Sequence, residues 1–131
     1  MRLENKVAVV TGGGSGFGTG IAARFAEEGA ALVIADINMD AARDTASRLN
    51  GMPVRADVSR NDDMAALAAA VMDRHGRIDI FVNNAGITHL PTPMDEIDEA
   101  EFDRVLMVNT KSVYLSARHI VPVMKHQESG I

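Results

Sequence analysis

The stretch Thr11-Gly12-Gly13-Gly14-Ser15-Gly16-Phe17-Gly18 decides the fold, together with the residues on either side of it. Four apolar residues, Val7–Val10, come before it and predict a short buried strand. Phe17, Ile21 and Phe25 recur at intervals of four residues, which predicts one face of a helix. A strand, a glycine turn and a helix in this order form an anion site. The helix N-terminus presents unpaired N–H groups there, and the glycines let a pyrophosphate approach the backbone.

The composition excludes several classes of protein. The 131 residues, of which 47% are apolar, predict one domain with a hydrophobic core. A net charge of −5 argues against nucleic-acid or membrane partners. No run approaches the ~20 apolar residues of a membrane span. No signal peptide is recognisable. Cysteine is absent, and the histidines show no ligand pairing, so we expect no disulfide and no metal site. The four histidines are His75, His89, His119 and His126. A cytoplasmic location follows as the expectation.

Strand and helix patterns alternate along the whole chain. The predicted strands are Lys6–Thr11, Ala31–Asp36, Pro53–Ala56 and Ile78–Val82. The first predicted helix runs from Ser15 to about Glu28 and stops at Gly29. The second carries Ala42, Ala46 and Leu49 and ends at Gly51; the third carries Met64, Leu67 and Val71, with a cap at Ser59 or Asn61 and an end at Gly76. The fourth begins at a capping box of Asp98 and Glu101, runs through Leu106, Val113, Ala117, Ile120 and Met124, and kinks or ends near Pro122.

Four strand-then-helix units predict an α/β fold with a parallel sheet covered on both faces. The doubly wound (Rossmann) arrangement with strand order 3-2-1-4 is the expected solution. A ligand crevice should then open between strands 1 and 4, where the order reverses. Gly12–Gly18 and Asn83–Gly86 follow these two strands, so both segments should face that crevice.

Asp36 ends the second strand, eighteen residues after Gly18. A carboxylate there can accept both hydrogens of an adenosine ribose diol and repels a 2′-phosphate. Neither Ser15 nor Ile37 supplies a cation that would attract this phosphate. The sequence therefore favours NAD over NADP, with an acidic turn residue as the alternative interpretation of Asp36.

Two further segments follow strand ends. Asp57 could read the adenine amino group while Val58 packs on the ring, although an Asp before a helix also serves as a cap. In Asn83–Gly86 the amides can tie neighbouring strands, and Ala85 and Gly86 leave room for a ribose close to the backbone. Taken alone, this tetrapeptide could be an ordinary turn.

In combination, these segments resemble the short-chain dehydrogenase/reductase family, whose nucleotide loop is T-G-x-x-x-G-x-G. Thr11, Gly12, Gly16 and Gly18 occupy those places. Four further motifs of the family match in the same order: the acidic residue, the D-V pair, the N-N-A-G tetrapeptide and the helix asparagine, Asn109. These matches extend from residue 6 to about residue 125. Within the family, the chain looks most like the oxoacyl-carrier-protein reductase and sugar or polyol dehydrogenase branches.

The resemblance implies hydride transfer between a nicotinamide cofactor and a small alcohol or ketone, in a protein that commonly forms homo-oligomers. It implies a supporting catalytic role for Asn109, which would anchor a water of the proton relay. The residues it implies for cofactor binding are Gly12, Ser15, Gly16, Phe17, Gly18, Asp36, Ile37, Asp57, Val58, Asn84, Ala85 and Gly86.

The family's serine and Tyr-x-x-x-Lys have no match in these residues. Tyr114 and Arg118 imitate the motif, but they lie on the helix before the expected fifth strand, and arginine is a poor lysine substitute. The fifth strand should begin at Gly130-Ile131, so we expect residues 1–131 to be an NAD-binding domain truncated before it, with an open edge on strand 4 that a longer chain or a partner covers. Two function classes remain: the cofactor-binding half of an NAD-dependent oxidoreductase, and a non-catalytic NAD-binding or oligomerisation module. A methyltransferase is disfavoured, because Thr11 stands where its loop carries an acidic residue.

Overall fold

A four-stranded parallel sheet organises the protein. The computed structural model describes all 131 residues. The strands are β1 (Val7–Thr11), β2 (Ala31–Asp36), β3 (Met52–Arg55) and β4 (Ile80–Val82). They pair in the order β3-β2-β1-β4, and all three pairings are parallel. This confirms the predicted doubly wound α/β fold and its strand order.

The helices connect and cover these strands. They are α1 (Gly16–Glu27), α2 (Met39–Leu49), α3 (Asn61–His75), α4 (Glu99–Leu106) and α5 (Ser112–Gln127). A single 3₁₀ turn, Met94–Glu96, precedes α4, and a π-helical segment, Met107–Lys111, joins α4 directly to α5. None of these helices combines the length and the apolar character needed to cross a membrane.

The sheet has a hydrophobic layer on each face, because residues along a strand alternate between the two sides. One layer joins alternate residues of β1 and β2 to α3 and α5; among its buried members are Val9, Val33, Leu67 and Ile120. The other joins the intervening residues to α1 and α2; among its members are Val10, Ile34, Ala22 and Ala46. The helices are thereby fixed on both faces of the sheet.

The structure corrects the predicted start of α3. Arg60 occupies the N-cap position and makes no side-chain cap hydrogen bond, so neither Ser59 nor Asn61 is the cap. The hydroxyl of Ser59 instead donates to Asp57 Oδ1 at 2.6 Å. The carboxylate of Asp57 therefore binds the Ser59 hydroxyl that the sequence pattern predicts as the cap of α3.

Strand β4 begins two residues later than predicted. The N–H and C=O groups of Ile78 bond to the side-chain amide of Gln127 on α5, at 3.0 and 2.9 Å, instead of joining a ladder. On the outer side of β4, Ile131 N–H donates to Asp79 O and Phe81 N–H donates to Ile131 O, both at 2.9 Å. These two bonds have the pattern of a parallel ladder.

The predicted apolar face of the last helix is partly wrong on both sides of the π-helical segment, since Leu106 before it is 44% exposed. Asp98 caps α4 as predicted, with Oδ1 accepting from Glu101 N at 2.8 Å. Beyond the π turn, Val113 and Ala117 are exposed, and Leu115 and Ile120 face the core. A π turn inserts one extra residue, which rotates every later position around the helix axis. The helix also continues past Pro122 to Gln127.

Asp79 is a buried carboxylate just before β4, at the amino end of the sheet. Its Oδ2 accepts from Val7 N at 2.9 Å and from Arg77 Nε at 2.8 Å, and Lys6 Nζ lies 3.5 Å from its Oδ1. Burial raises the pKa of Asp79, but the hydrogen bonds from Arg77 and Val7, with the charges of Arg77 and Lys6, outweigh it and lower the pKa overall. This cluster fastens β4 to β1 far from the loops at the carboxyl ends.

Candidate functional site

Three segments meet at the carboxyl edge of the sheet. The glycine segment Gly12–Gly18 follows β1, Asp36 ends β2, and Asn83–Gly86 follows β4. Because β1 lies between β2 and β4, the glycine segment lies between the other two. This is the point where the strand order reverses, the usual ligand position in open α/β sheets.

The hydroxyl of Thr11 joins the loops after β1 and β4. It donates to Val82 O at 3.1 Å and accepts from the N–H groups of Asn84 and Ala85 at 3.1 and 3.0 Å. Thr11 is 1% exposed, so these three bonds account for all the hydrogen-bonding capacity of a buried hydroxyl. The sequence pattern identified Thr11 only as a motif match, because nothing local in the sequence indicates partners more than 70 residues away.

The side chain of Asn84 strengthens the same junction. Its Nδ2 donates to the carbonyl oxygens of Thr11 and Gly12 at 2.9 and 3.3 Å. Gly12 has a φ of +62°, and a Cβ there would lie 2.9 Å from Ala85 Cα. The two loops are therefore in direct backbone contact, and only glycine fits at position 12.

The start of α1 is pressed against the glycine segment. A Cβ at Gly18 would lie 2.1 Å from Gly12 O, whereas a Cβ at Gly16 would meet no atom within 4 Å. The space above Gly16 is therefore open, and the first N–H groups of α1 have no partners within the helix. Ser15 at the N-cap makes no side-chain cap bond, the first turn has no acidic residue, and Phe17 is 89% exposed. This arrangement suits a diphosphate, which needs N–H donors and close backbone approach.

Asp36 lies against the glycine segment. Its Oδ2 accepts from Gly14 N at 2.9 Å, and its Oδ1 accepts from Asn38 N at 3.0 Å. Each carboxylate oxygen has a second lone pair, so both can still accept from a ligand hydroxyl. Ile37 beside it is 59% exposed. The structure thus brings the Asp36 carboxylate and the glycine segment together.

Asp57 and Val58 lie after β3, beyond Asp36 in the sheet order. Asp57 Oδ1 accepts from the N–H and hydroxyl of Ser59, and Asp57 N donates to Asp63 Oδ2 at 2.8 Å. These bonds fix the carboxylate and leave Oδ2 for a ligand. Val58 is only 8% exposed and packs in the core, so the group it offers to a ligand is mainly its backbone.

Asn109 lies in the π-helical segment and makes a reciprocal pair with the loop after β4. Its Oδ1 accepts from Ile87 N at 2.8 Å, and its Nδ2 donates to Ile87 O at 2.7 Å. A Cβ at Gly86 would be 3.4 Å from Asn109 Oδ1, so the helix also approaches the end of the N-N-A-G tetrapeptide. The side chain positions this loop; the water-anchoring role of Asn109 stays a prediction.

Other candidate groups lie outside this constellation. Tyr114 is 58% exposed on α5, and its hydroxyl accepts from Arg118 at 3.3 Å. No group of three or more His, Cys, Asp or Glu side chains is placed to hold a metal ion.

Comparisons with known proteins give a consistent result. A family model described as short chain dehydrogenase matches residues 6–131. The chain is 42% identical to tropinone reductase-like 1 of Erythroxylum coca, over 98% of this chain and 49% of that protein. It is 44% identical to a 4-formylbenzenesulfonate dehydrogenase of Comamonas testosteroni, over 100% of this chain and 54% of that protein. The chain thus spans about half the length of the curated relatives it matches.

Solved structures resemble it equally well. A 3-ketoacyl-(acyl-carrier-protein) reductase from Brucella melitensis, complexed with NADH, superimposes with a TM-score of 0.93 at 42% identity, covering 95% of this chain and 52% of that one. A metagenomic short-chain oxidoreductase in complex with NADP gives a TM-score of 0.92 at 33% identity, covering 99% of this chain and 61% of that one.

Proposed function

The chain belongs to the short-chain dehydrogenase family, and from that premise we propose that it is the cofactor-binding part of an NAD-dependent oxidoreductase. The reaction is hydride transfer between nicotinamide and a small alcohol or ketone. The cofactor supplies that chemistry when bound, and the protein binds and orients it. The names of the relatives, a reductase complexed with NADH and a dehydrogenase among them, support this class of reaction.

The proposal rests on the place of Asp36 beside the glycine segment. A diphosphate held by the N–H groups of Ser15–Gly18 puts the adenosine ribose within reach of this carboxylate. The free lone pairs of Asp36 then accept from both ribose hydroxyls. A 2′-phosphate would instead bring like charges together, which favours NAD over NADP.

The remaining residues complete the cofactor site. Asp57 Oδ2 accepts from the adenine amino group, with Ile37 and the backbone of Val58 beside the ring. Ala85 and Gly86 form the floor under the nicotinamide ribose, because no bulky side chain lies there. Asn109 supports the reaction by holding the Ile87 loop next to that floor.

We assign no acid–base role to Tyr114, which is exposed and pairs with Arg118. Residues 1–131 are therefore expected to bind cofactor without turning over a substrate. Exposed apolar side chains on α5, Val113 at 49% and Val121 at 40%, favour assembly of this chain into a homo-oligomer. They also support the second candidate, a non-catalytic NAD-binding or oligomerisation module.

Cofactor titrations followed by fluorescence test the proposed site. We expect the chain to bind NADH more tightly than NADPH. Asp36→Ala should lower the ratio of the Kd for NADPH to the Kd for NADH by about tenfold or more, because the repulsion of the 2′-phosphate is lost. Asp44→Ala is the matched control: it removes the same charge from the exposed face of α2, where Asp44 pairs only with Arg48. An unchanged ratio in Asp36→Ala would refute the ribose role.

A turnover assay separates the two candidate functions. With NADH and a panel of ketones and aldehydes, the 131-residue chain should show binding and no oxidation of the cofactor. Measurable turnover would show that an acid–base group is present within these residues. Turnover that appears only when a longer form of the protein is assayed favours the oxidoreductase over the module.

A further inference from the structure

The peptide bond between Gly13 and Gly14 is held from both sides by side chains. Its carbonyl oxygen accepts from Thr19 Oγ1 at 3.2 Å, and its N–H donates to Asp36 Oδ2 at 2.9 Å. The side-chain donor and the side-chain acceptor come from different elements, since Thr19 lies in the first turn of α1 and Asp36 ends β2. A single peptide plane in the glycine segment thus links the helix to the second strand.

Sterics explain why this peptide needs support. A Cβ at Gly13 would lie 2.9 Å from Ile34 Cγ2 and 3.0 Å from Val10 O. A Cβ at Gly14 would lie 2.8 Å from both Asp36 Oδ2 and Ala41 Cβ. A side chain at either position would therefore have to displace a neighbour, whereas glycine fits without any shift, and a Gly-Gly peptide can rotate more freely than any other. The segment cannot gain rigidity from side chains of its own, so it must be fixed by partners outside it.

The hydroxyl of Thr19 is used in an uncommon way. A threonine within a helix usually bonds to the carbonyl three or four residues earlier. Here the hydroxyl reaches six residues back to Gly13 O, while the Thr19 N–H takes the ordinary bond to Ser15 O at 3.3 Å. The side chain is half-buried, and its hydroxyl is engaged by Gly13 O.

We infer that Thr19 is a positioning residue of the nucleotide site and that, with Asp36, it clamps the Gly13–Gly14 peptide in the orientation that cofactor binding needs. This inference rests on the proposed function. Without the hydroxyl, the peptide turns, Gly14 N–H leaves Asp36, and the carboxylate and the N–H groups of Ser15 and Gly16 lose their relative placement. Cofactor affinity then falls because the glycine segment changes shape.

Three substitutions test the clamp. Thr19→Val keeps the branched shape and removes the hydroxyl, Thr19→Ala removes it with a better helix former, and Thr19→Ser keeps it. We expect the first two to raise the Kd for NADH by about threefold to tenfold, the worth of one hydrogen bond. Thr19→Ser should stay within about twofold of the parent chain, because the donor is retained.

A measurement on the cofactor-free protein gives the clamp its own readout. In ¹⁵N-resolved NMR spectra, the Gly14 amide should shift and exchange faster with solvent in Thr19→Val and Thr19→Ala, and should return to its parent position in Thr19→Ser. A residue that merely packs would change the melting temperature and leave this amide unmoved.

The outcomes are distinguishable. If the parent chain binds neither NADH nor NADPH, the proposed function fails, and the Gly14 amide still decides whether the clamp exists. If the parent chain binds NADH and both hydroxyl-free variants bind it equally well, the positioning role of Thr19 is refuted. An unmoved Gly14 amide in both variants refutes the clamp whatever the affinity.

Discussion

Two glycines of α1, Gly18 and Gly20, give matched substitutions with opposite expected effects. A Cβ at Gly18 would lie 2.1 Å from Gly12 O and 2.7 Å from Asn84 Nδ2. A Cβ at Gly20 would meet no atom within 4 Å. Replacing each by alanine makes the same chemical change two residues apart in one helix, so any difference between the variants reports the close approach at Gly18.

The expected free energies of unfolding follow from these distances. Alanine in place of glycine stabilises a helix interior by about 1 kcal/mol, and Gly20→Ala should show this gain. At Gly18 the clash is with backbone, so the start of α1 must move away by about 1 Å or more to reach ordinary contact. Such overpacking costs about 1–3 kcal/mol, and stretching the bond from Asn84 to Gly12 O adds about 1 kcal/mol. Gly18→Ala should therefore be less stable than Gly20→Ala by about 2–4 kcal/mol.

Urea unfolding followed by circular dichroism measures this difference. With a denaturant slope of about 2 kcal/mol/M, the two midpoints should differ by about 1–2 M. NADH titration provides the second readout: Gly18→Ala should bind at least about tenfold more weakly than the parent chain, because the N–H groups of α1 move, whereas Gly20→Ala should bind normally. If Gly18→Ala is as stable as Gly20→Ala and binds NADH equally well, the close packing of α1 on Gly12 is not what shapes the site.

Two further substitutions address the ends of β4. Asp79→Asn should lower the free energy of unfolding at pH 7 by about 1–3 kcal/mol, since the ionised carboxylate accepts from Val7 and Arg77. Because folding lowers the pKa of Asp79, the stability that its carboxylate contributes is complete above the unfolded-state pKa and is lost as pH falls through the folded-state pKa. The urea midpoints of Asp79→Asn and the parent chain should therefore converge in acid. A difference between the two midpoints that does not change with pH would contradict this. Asn109→Ala removes both hydrogen bonds to Ile87, so hydrogen exchange of the Ile87 amide should speed up by about tenfold or more. Asn109→Asp keeps the acceptor, and its exchange rate should lie between those of the parent chain and Asn109→Ala. An unchanged exchange rate in Asn109→Ala would show that this pair of bonds does not hold the loop.

The sequence was sufficient for the strand order, because alternating strand and helix patterns leave few chain paths once crossovers are right-handed. It also placed Asp36 and Asn83–Gly86 at the carboxyl ends of their strands. Prediction from the sequence failed where a hydrogen-bond partner lies far away along the chain or where a helix is irregular. The apolar spacing does not predict the π turn at Met107–Lys111, and it does not predict that Val113 and Ala117 are exposed.

The side chains that shape the glycine segment were hidden for a similar reason. The sequence pattern gives Thr19 no role beyond its place in the predicted helix, whereas in the structure its hydroxyl donates to Gly13 O. The spacing predicts Ser59 or Asn61 as the cap of α3, but the hydroxyl of Ser59 donates to the nearby carboxylate of Asp57 instead. Helix and cap propensities describe the usual hydrogen-bond partners of a residue, so they do not predict the bonds that Ser59 and Thr19 make to other groups.

The saturated hydroxyl of Thr11 has a consequence for how β4 joins the sheet. Only three residue pairs connect β4 to β1, from Ala8 with Ile80 to Val10 with Val82. So short a ladder could slip by one residue, which would turn Ile80 and Phe81 to the opposite faces. In a slipped pairing the hydroxyl of Thr11 would face the wrong peptide groups and lose all three bonds at once. The Thr11 hydroxyl therefore also fixes the register in which β4 joins the sheet, so a substitution at Thr11 would put the pairing of β4 with β1 at risk as well as the junction of the two loops.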